Sequence, residues 1–121
     1  DMRDSEGLFV ISVAARLLDM HPQTLRKYER VGFVIPSRTS GKIRLYSRED
    51  IARLEQVKYL VNERDLNLAG VEMALDVTEQ LKKIANRLRK SKRSDYDEIA
   101  DALDNVLMRL GADPTAEKDR R

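Results

Sequence analysis

Residues 11–46 read ISVAARLLDMHPQTLRKYERVGFVIPSRTSGKIRLY, and this stretch decides the fold. Its first half predicts two short helices joined by a tight turn. Asp19 lies in that turn, where many turns of this kind carry glycine. His21 stands at the N-cap position of the second helix and Pro22 at its first helical position, where the missing N–H of proline costs no hydrogen bond. With Gly32 as a left-handed terminator, the pattern indicates a helix-turn-helix.

The second half of the stretch predicts a small β-hairpin, which we call the wing. A polar turn separates two short β-type runs, and the second of them, residues 43–46, alternates apolar and polar side chains. Because successive side chains of a strand point to opposite faces, Ile43 and Leu45 are predicted to pack on the core. Arg44 and Tyr46 are then predicted to point outward, where both can donate hydrogen bonds to phosphate oxygens.

Charge is concentrated in the same stretch. The whole chain carries a formal net charge of only +2, but residues 22–46 hold six basic side chains against the single acid Glu29. A basic cluster on one small unit is the electrostatic footprint of a nucleic-acid-binding protein. A merely solvated basic face is the alternative when charge is considered alone.

Composition argues against several other classes of function. The 121 residues include no cysteine and one histidine, which excludes disulfides and thiolate metal sites and leaves His21 as a helix cap. There is no Ser-His-Asp set and no glycine-rich phosphate loop, so we predict no enzyme, catalytic residue, cofactor or metal. No apolar run approaches the ~20 residues of a membrane span and no signal peptide is apparent. We expect a soluble, cytoplasmic, nucleoid-associated protein without a membrane partner.

Downstream of the wing the pattern is helical. Two helices, N-capped by Ser47 and Asn67, are predicted to complete the core of the small unit. Apolar side chains then recur at alternating spacings of four and three residues, which is typical of a coiled-coil seam about two heptads long. So short a seam needs a partner. The residues that we predict to mediate dimerisation are Val77, Leu81, Ile84 and Leu88.

A basic run over residues 82–93 accompanies the seam, and a last helix from Ser94 to just before Gly111 carries acidic side chains along its first half. The run has three interpretations: a solvated face, a second DNA contact, or the match to the acidic helix. Charge complementarity favours the last. It also favours antiparallel packing of the two helices, either within one chain or between two chains.

The predicted fold class is therefore mainly α. We expect a winged helix-turn-helix with a small β-hairpin wing, followed by a C-terminal, coiled-coil-like helical region for dimerisation. Residues 8–76 would form the winged-helix DNA-binding domain and residues 77–111 the dimerisation helices. Residues 1–7 and 112–121 would be flexible termini. The apolar run at residues 8–11 is either a brief strand or a lead-in that packs under the first helix.

These residues carry a family resemblance. TLRKYERVGFVIPSRTSGKIRLYSREDIARL, residues 24–54, resembles the DNA-binding domain of the MerR family of bacterial transcription regulators. The motifs that carry the likeness are LR-x-Y-E-x-x-G in the recognition helix and R-x-Y-S-x-x-D at the wing and the helix after it. The likeness spans about residues 10–77. Within the family, HPQTLRKYER together with NLAGVEMALDV is similar to the heat-shock repressor subgroup, HspR.

The resemblance implies more than the residues themselves do. It implies a homodimer that binds an inverted repeat in promoter DNA and pairs through a helix after the DNA-binding domain. For the subgroup it further implies repression of heat-shock and chaperone genes, with the chaperone DnaK as co-repressor. One departure is Lys27, where the family often has a second aromatic residue. Metal-sensing members carry cysteines that this chain lacks, so we expect no metal or thiol effector.

Site residues follow from the same resemblance. Thr24, Arg26 and Tyr28 would face DNA from the recognition helix, while Arg44 and Tyr46 would hold phosphates from the wing. For Tyr28 the alternative is a half-buried core aromatic. The complete predicted DNA-binding set is Gln23, Thr24, Arg26, Lys27, Tyr28, Arg30, Arg38, Lys42, Arg44 and Tyr46.

The function that these patterns favour is a sequence-specific, homodimeric transcriptional repressor. Two alternatives belong to other classes. In a protein-interaction adaptor, the C-terminal helices would be the working surface and the basic unit would only localise it. In an architectural or excisionase-like protein, the same fold would bend DNA instead of regulating transcription.

Overall fold

The computed structural model describes residues 2–91 and 93–114 of the chain, which is mainly helical with a small antiparallel sheet of three strands. The predicted fold class is confirmed. The chain divides after Val57, within its fourth helix, into two compact units that are described separately below. In chain order the elements are α1 (Met2–Ser5), β1 (Gly7–Phe9), α2 (Ile11–Leu18), α3 (Pro22–Arg30), β2 (Ser37–Arg38), β3 (Arg44–Ser47), α4 (Arg48–Asn62), α5 (Leu68–Lys90) and α6 (Ser94–Arg109).

Capping and turn residues determine where the helices of the helix-turn-helix begin and end. The predicted cap of α3 is confirmed, because Nδ1 of His21 accepts a hydrogen bond from the backbone N–H of Gln23 at 3.0 Å. Asp19 ends α2 with φ 48° and ψ 54°, the left-handed conformation that glycine adopts at low cost in related turns. Gly32 follows α3 with φ 88°, as predicted for its terminator. The turn therefore keeps the left-handed backbone conformation, although it carries aspartate where many such turns carry glycine.

The sheet has β3 in the middle, with β1 and β2 antiparallel on either side. Of the two interpretations of the apolar run at residues 8–11, the strand is correct for its beginning, since Phe9 of β1 pairs with Tyr46. On the other edge Arg38 of β2 pairs with Arg44. The wing is thus one hairpin of a three-stranded sheet, held at its base by the N-terminal strand.

The predicted faces of β3 are wrong. Tyr46 is fully buried, with 0% of its surface exposed, whereas Ile43 is 56% exposed. Alternation fixes the period of a strand but not which of its two faces meets the core. Burying a tyrosine ring removes on the order of 150–250 Å² from water, more than an isoleucine offers. The arginine on the same face as the ring, Arg44, is tolerated because it has an acidic partner inside the unit.

The helix after the wing begins at a reciprocal cap. Ser47 Oγ accepts from the backbone N–H of Asp50 at 2.9 Å, and Asp50 Oδ2 accepts from the N–H of Ser47 at 2.9 Å. Burial raises the pKa of Asp50, and both hydrogen bonds with Ser47 oppose that shift. The apolar core of this unit consists of Ala14, Ala15, Leu18, Leu25, Tyr28, Phe33, Val34, Tyr46, Leu54 and Val57.

The second unit is a helical hairpin in which α6 runs back along α5. Near the turn, Arg89 of α5 contacts Asp101 and Asp104 of α6. At the other end, the Arg64 guanidinium donates to the carbonyl oxygen of Arg109 at 3.1 Å. The antiparallel packing left open by the sequence is therefore intramolecular. α5 is continuous through residue 77, so the predicted domain boundary at 76/77 falls inside a helix.

The chain ends are only partly within the described residues. At the N-terminal end, α1 covers part of the segment that was predicted to be flexible, and Gly7 belongs to β1. At the other end, Ala112 is buried and its N–H donates to the carbonyl of Leu107 at 3.0 Å. Residues 115–121 of the predicted C-terminal tail lie outside the described residues. None of the described helices is long and apolar enough to cross a membrane.

Candidate nucleic-acid interface

The recognition helix α3 is anchored by one face and exposes the other. Leu25 and Tyr28, three residues apart, are buried in the core. Because residues three to four apart share a face of a helix, the remaining positions turn away from that core. The predicted DNA-binding residues on this surface are exposed at Gln23, Lys27 and Arg30 and half-exposed at Thr24 and Arg26.

Tyr28 is a partial correction to the predicted site, because its ring lies in the core. Its side chain is only 6% exposed, and its ring lies 5.7 Å from the ring of Phe33, at a tilt of 38°. Desolvation by burial raises the pKa of its hydroxyl. The core alternative therefore describes the ring of Tyr28, which stabilises α3 against the segment that leads into the wing, while a DNA contact through its hydroxyl stays a prediction.

Tyr46 is the second correction. The ring is fully buried and the hydroxyl, also buried, has no hydrogen-bond partner among the described residues. Burial is the main reason that the pKa of Tyr46 is raised, with a smaller contribution from the negative charge of Glu29. A hydroxyl in this position cannot donate to a phosphate without a rearrangement of the core, so Tyr46 supports the interface from beneath.

The wing arginines meet the recognition helix at a single carboxylate. Nε of Arg44 donates to Oε1 of Glu29 at 2.7 Å and to Oε2 at 3.2 Å. Nη2 of Arg38 donates to Oε2 of the same residue at 3.3 Å, and its Nη1 donates to the carbonyl of Lys42 at 3.2 Å. The hydrogen bond to Glu29 raises the pKa of Arg44, against a smaller opposing effect of burial. We call Glu29, Arg38 and Arg44 the wing clamp.

The clamp leaves a cationic surface on the wing. Two arginines share one carboxylate, and the side chains of Arg38 and Arg44 remain 44% and 29% exposed. Lys42 is exposed in the wing turn, where it takes a positive φ of 65°. The turn is braced by the Oγ1 of Thr39, which accepts from the N–H of Ile43 at 3.1 Å. Such a surface can accept phosphate oxygens without reading sequence.

Sequence reasoning missed the role of Glu29, which it recorded only as the single acid among six basic residues. Its isolation was itself a signal, because a single carboxylate among basic side chains indicates an ion pair with some of them. Its partners could not be deduced, since they lie 9 and 15 residues away on two different strands. Among the described residues, no group of three or more histidines, cysteines or carboxylates could hold a metal.

The predicted dimerisation residues all lie on α5. Val77 and Ile84 are 44% and 45% exposed, and Leu81 and Leu88 are half-buried. On α6, three large apolar side chains are exposed: Ile99, Val106 and Met108. Both helices of the hairpin therefore present apolar side chains to solvent.

Comparisons with known proteins agree with this architecture. A family model for the MerR HTH family regulatory protein matches residues 9–77. A heat shock protein of Streptomyces coelicolor, HspR, is 39% identical over 106 residues, which are 88% of this chain and 65% of that protein. The HTH-type transcriptional regulator GlnR of Bacillus cereus is 29% identical over 109 residues, 90% of this chain and 84% of that protein. The HTH-type transcriptional regulator MlrA of Escherichia coli is 35% identical over 70 residues, 57% and 28% of the two chains.

The first of these alignments spans slightly less than two thirds of the relative's length. The family match itself covers more than half of this chain and includes the complete helix-turn-helix, the wing and α4. The predicted resemblance, including the likeness to HspR, is confirmed. The chain therefore belongs to the MerR family of helix-turn-helix transcriptional regulators.

Proposed function

We propose that this chain is a sequence-specific transcriptional repressor that binds, as a homodimer, an inverted repeat in promoter DNA. The observation that carries the proposal is the surface of α3. Gln23 and Thr24 lie in its first turn and are accessible, with Arg26 and Lys27 beside them. The N-terminal residues of a recognition helix are those that reach base edges in the major groove. The wing clamp tethers two more arginines to the same helix, at a position suited to the flanking phosphates.

Dimerisation is supported by the apolar side chains of the α5–α6 hairpin. Successive residues of an α-helix are rotated by about 100°, so the predicted seam occupies one flank of α5, next to the face that meets α6. By the same geometry Ile99, Leu103 and Val106 occupy one flank of α6. Because the two helices are antiparallel, both flanks lie on the same side of the hairpin. A contiguous exposed apolar face marks an interaction site, and a second copy of the chain can supply a matching one.

The regulated genes are proposed from the relatives. HspR of Streptomyces coelicolor is named as a heat shock protein, and the likeness to it covers 88% of this chain. We therefore propose control of heat-shock or chaperone genes in the cytoplasm. DnaK, the co-repressor that the subgroup resemblance implies, is the proposed protein partner.

Selection of bound DNA from a random-sequence duplex pool tests the proposal directly. We expect the purified protein to enrich an inverted repeat and to bind it at least ~10³-fold more tightly than the unselected pool at physiological salt. Equal affinity for both would refute sequence-specific regulation and favour the architectural alternative. Binding to neither would favour the adaptor. Genome-wide mapping of binding sites then identifies the genes, with peaks at chaperone promoters expected.

The dimer is tested with charge substitutions in the hairpin. Ile84→Glu places a carboxylate in the centre of the proposed interface and should convert a dimer to a monomer in size-exclusion chromatography with light scattering. Met108→Glu is the matched control, because Met108 is 63% exposed and lies on roughly the opposite side of α6 from Val106. A wild-type protein that is monomeric at tens of micromolar, or two variants that behave alike, would remove this face from the proposal.

A further inference from the structure

We propose that Glu29 is a positioning residue of the DNA interface: its carboxylate fixes the wing against the recognition helix and orients the arginine side chains that receive phosphate. The inference rests on the proposed DNA binding and adds a residue to it. Glu29 lies in the last turn of α3, so it is neither at the base-reading end of the helix nor on the wing itself.

The connectivity of the clamp supports a role in positioning. Arg38 and Arg44 are directly opposed across the β2–β3 ladder, one on each strand of the wing. One carboxylate accepts hydrogen bonds from both, so both strands are tied to α3 at a single point. Arg38 also bonds to the Lys42 carbonyl, which extends the connection into the wing turn. Without Glu29, this connection between the wing and α3 would be lost.

The wing clamp also fixes the orientation of the Arg44 guanidinium. Its guanidinium meets Glu29 through Nε alone, and within the described part of the chain its two Nη groups make no hydrogen bond. A guanidinium carries five N–H donors in a rigid plane, so fixing one edge also fixes the direction of the other. The Nη edge of Arg44 is thereby preorganised for an anion that approaches the wing. Charge-assisted bonds of this kind are the strong ones in phosphate recognition.

Simple electrostatics predicts the opposite effect for Glu29. A carboxylate on a DNA-facing surface repels phosphates, so its neutralisation should tighten binding and steepen the dependence on salt. If Glu29 instead positions the wing, its loss should weaken binding although a negative charge has been removed. The sign of the change therefore separates the two roles.

The test compares three variants with the wild-type protein in titrations of the selected duplex and of the unselected random pool, each at several salt concentrations. Glu29→Gln removes the charge, and Glu29→Asp keeps the charge but shortens the side chain by one methylene. Glu55→Gln, at an exposed position of α4 in the same unit, is the matched control for a lost negative charge. We expect about tenfold weaker binding of the selected duplex for both Glu29 variants and a change of less than about twofold for Glu55→Gln.

Two further measurements keep the inference distinct from a loss of folding and from the proposed function. Hydrogen exchange in the free protein should show faster exchange at the N–H groups of Thr39 and Ile43 in both Glu29 variants, while the amides of α4 stay protected. In an Arg44→Ala background, Glu29→Gln should cause a smaller loss of affinity than in the wild-type protein, because part of its effect acts through Arg44 and only the bond to Arg38 remains to be lost.

The outcomes are separable. A wild-type protein that does not prefer the selected duplex refutes the proposed function, whatever the variants do. If the wild-type protein binds as proposed but Glu29→Gln binds equally well or more tightly, the positioning role is refuted. The same holds if Glu29→Asp is unchanged in affinity and in exchange of the wing amides, or if the losses caused by Glu29→Gln and Arg44→Ala add in full.

Discussion

Each of the two units contains one charged side chain that is shared between two partners, and the two arrangements have opposite charge. In the wing clamp, the carboxylate of Glu29 is shared by two arginines. In the hairpin, which we call the hairpin clamp, the guanidinium of Arg89 is shared by Asp101 and Asp104, each at 2.7 Å. The first leaves a surplus positive charge on the surface, and the second leaves a surplus negative one.

The difference between the clamps lies in what remains available to a ligand. In the wing clamp the surplus belongs to exposed arginines with donors that make no bond in the described structure. In the hairpin clamp the single arginine, whose side chain is 23% exposed, lies between two carboxylates, and the hydrogen bond to Asp101 raises its pKa. An arrangement of the first kind can bind an anion. One of the second kind holds two helices together, and its surplus negative charge repels phosphate.

Removing the arginine of the hairpin clamp should have the largest effect on folding. Arg89→Ala removes the ion pair between Arg89 and the nearly buried carboxylate of Asp104, and breaking a pair of this kind costs about 3 kcal/mol. Urea unfolding measures the loss of free energy, with Lys83→Ala on the exposed side of α5 as a control that should change it by less than about 0.5 kcal/mol. A loss below about 1 kcal/mol would mean that apolar contacts alone hold the hairpin.

Removing an arginine of the wing clamp should leave folding nearly intact and weaken DNA binding instead. Arg44→Ala should raise the Kd for every duplex about tenfold and reduce the magnitude of the salt slope by about one, because one phosphate contact is lost. Arg89→Ala, assayed at a protein concentration and temperature where it is folded, should keep the wild-type salt slope. If both variants alter the slope equally, the distinction between the clamps fails.

The same comparison explains how much could be predicted from the sequence. Several features set by residues a few positions apart were predicted correctly: the helix caps by His21, Ser47 and Asn67, and the left-handed conformation of Gly32. Each of these depends on a hydrogen bond or a backbone angle that the local residue type selects by itself.

Features that depend on distant partners were not predicted. The partner of Arg44 lies 15 residues earlier in the chain, and that of Arg89 lies 12 or 15 residues later. The faces of β3 were inverted for the same reason, since the sequence of a four-residue strand does not indicate which side the helices will cover. The basic run at residues 82–93 was matched to the acidic helix by its charge pattern, and Arg89 is a member of it that makes this match within the chain.

Tyr46→Phe gives the smallest predicted effect and tests the corrected position of that side chain. The sequence-based interpretation predicts weaker DNA binding, because a phosphate donor would be lost. The structure predicts unchanged binding, because the hydroxyl is buried. It also predicts a free energy of unfolding that stays the same or rises by up to about 1 kcal/mol, since the substitution removes a buried hydroxyl that has no hydrogen-bond partner among the described residues.

The pH dependence of stability supplies an independent check of the same substitution. Burial raises the pKa of Tyr46 in the folded state above the value of about 10 that the unfolded chain retains. The unfolded state therefore loses this proton first, so the associated stability is fully present below pH ~10 and is lost as the pH rises beyond it. Phenylalanine cannot ionise, so Tyr46→Phe should unfold less readily than the wild-type protein at high pH. The stability of the variant should still fall in part at high pH, because burial also raises the pKa of Tyr28. Urea unfolding at pH 8 and above pH 10 measures this difference. If the wild-type protein and the variant had the same free energy of unfolding at both pH values, the Tyr46 hydroxyl would be in contact with water and not buried.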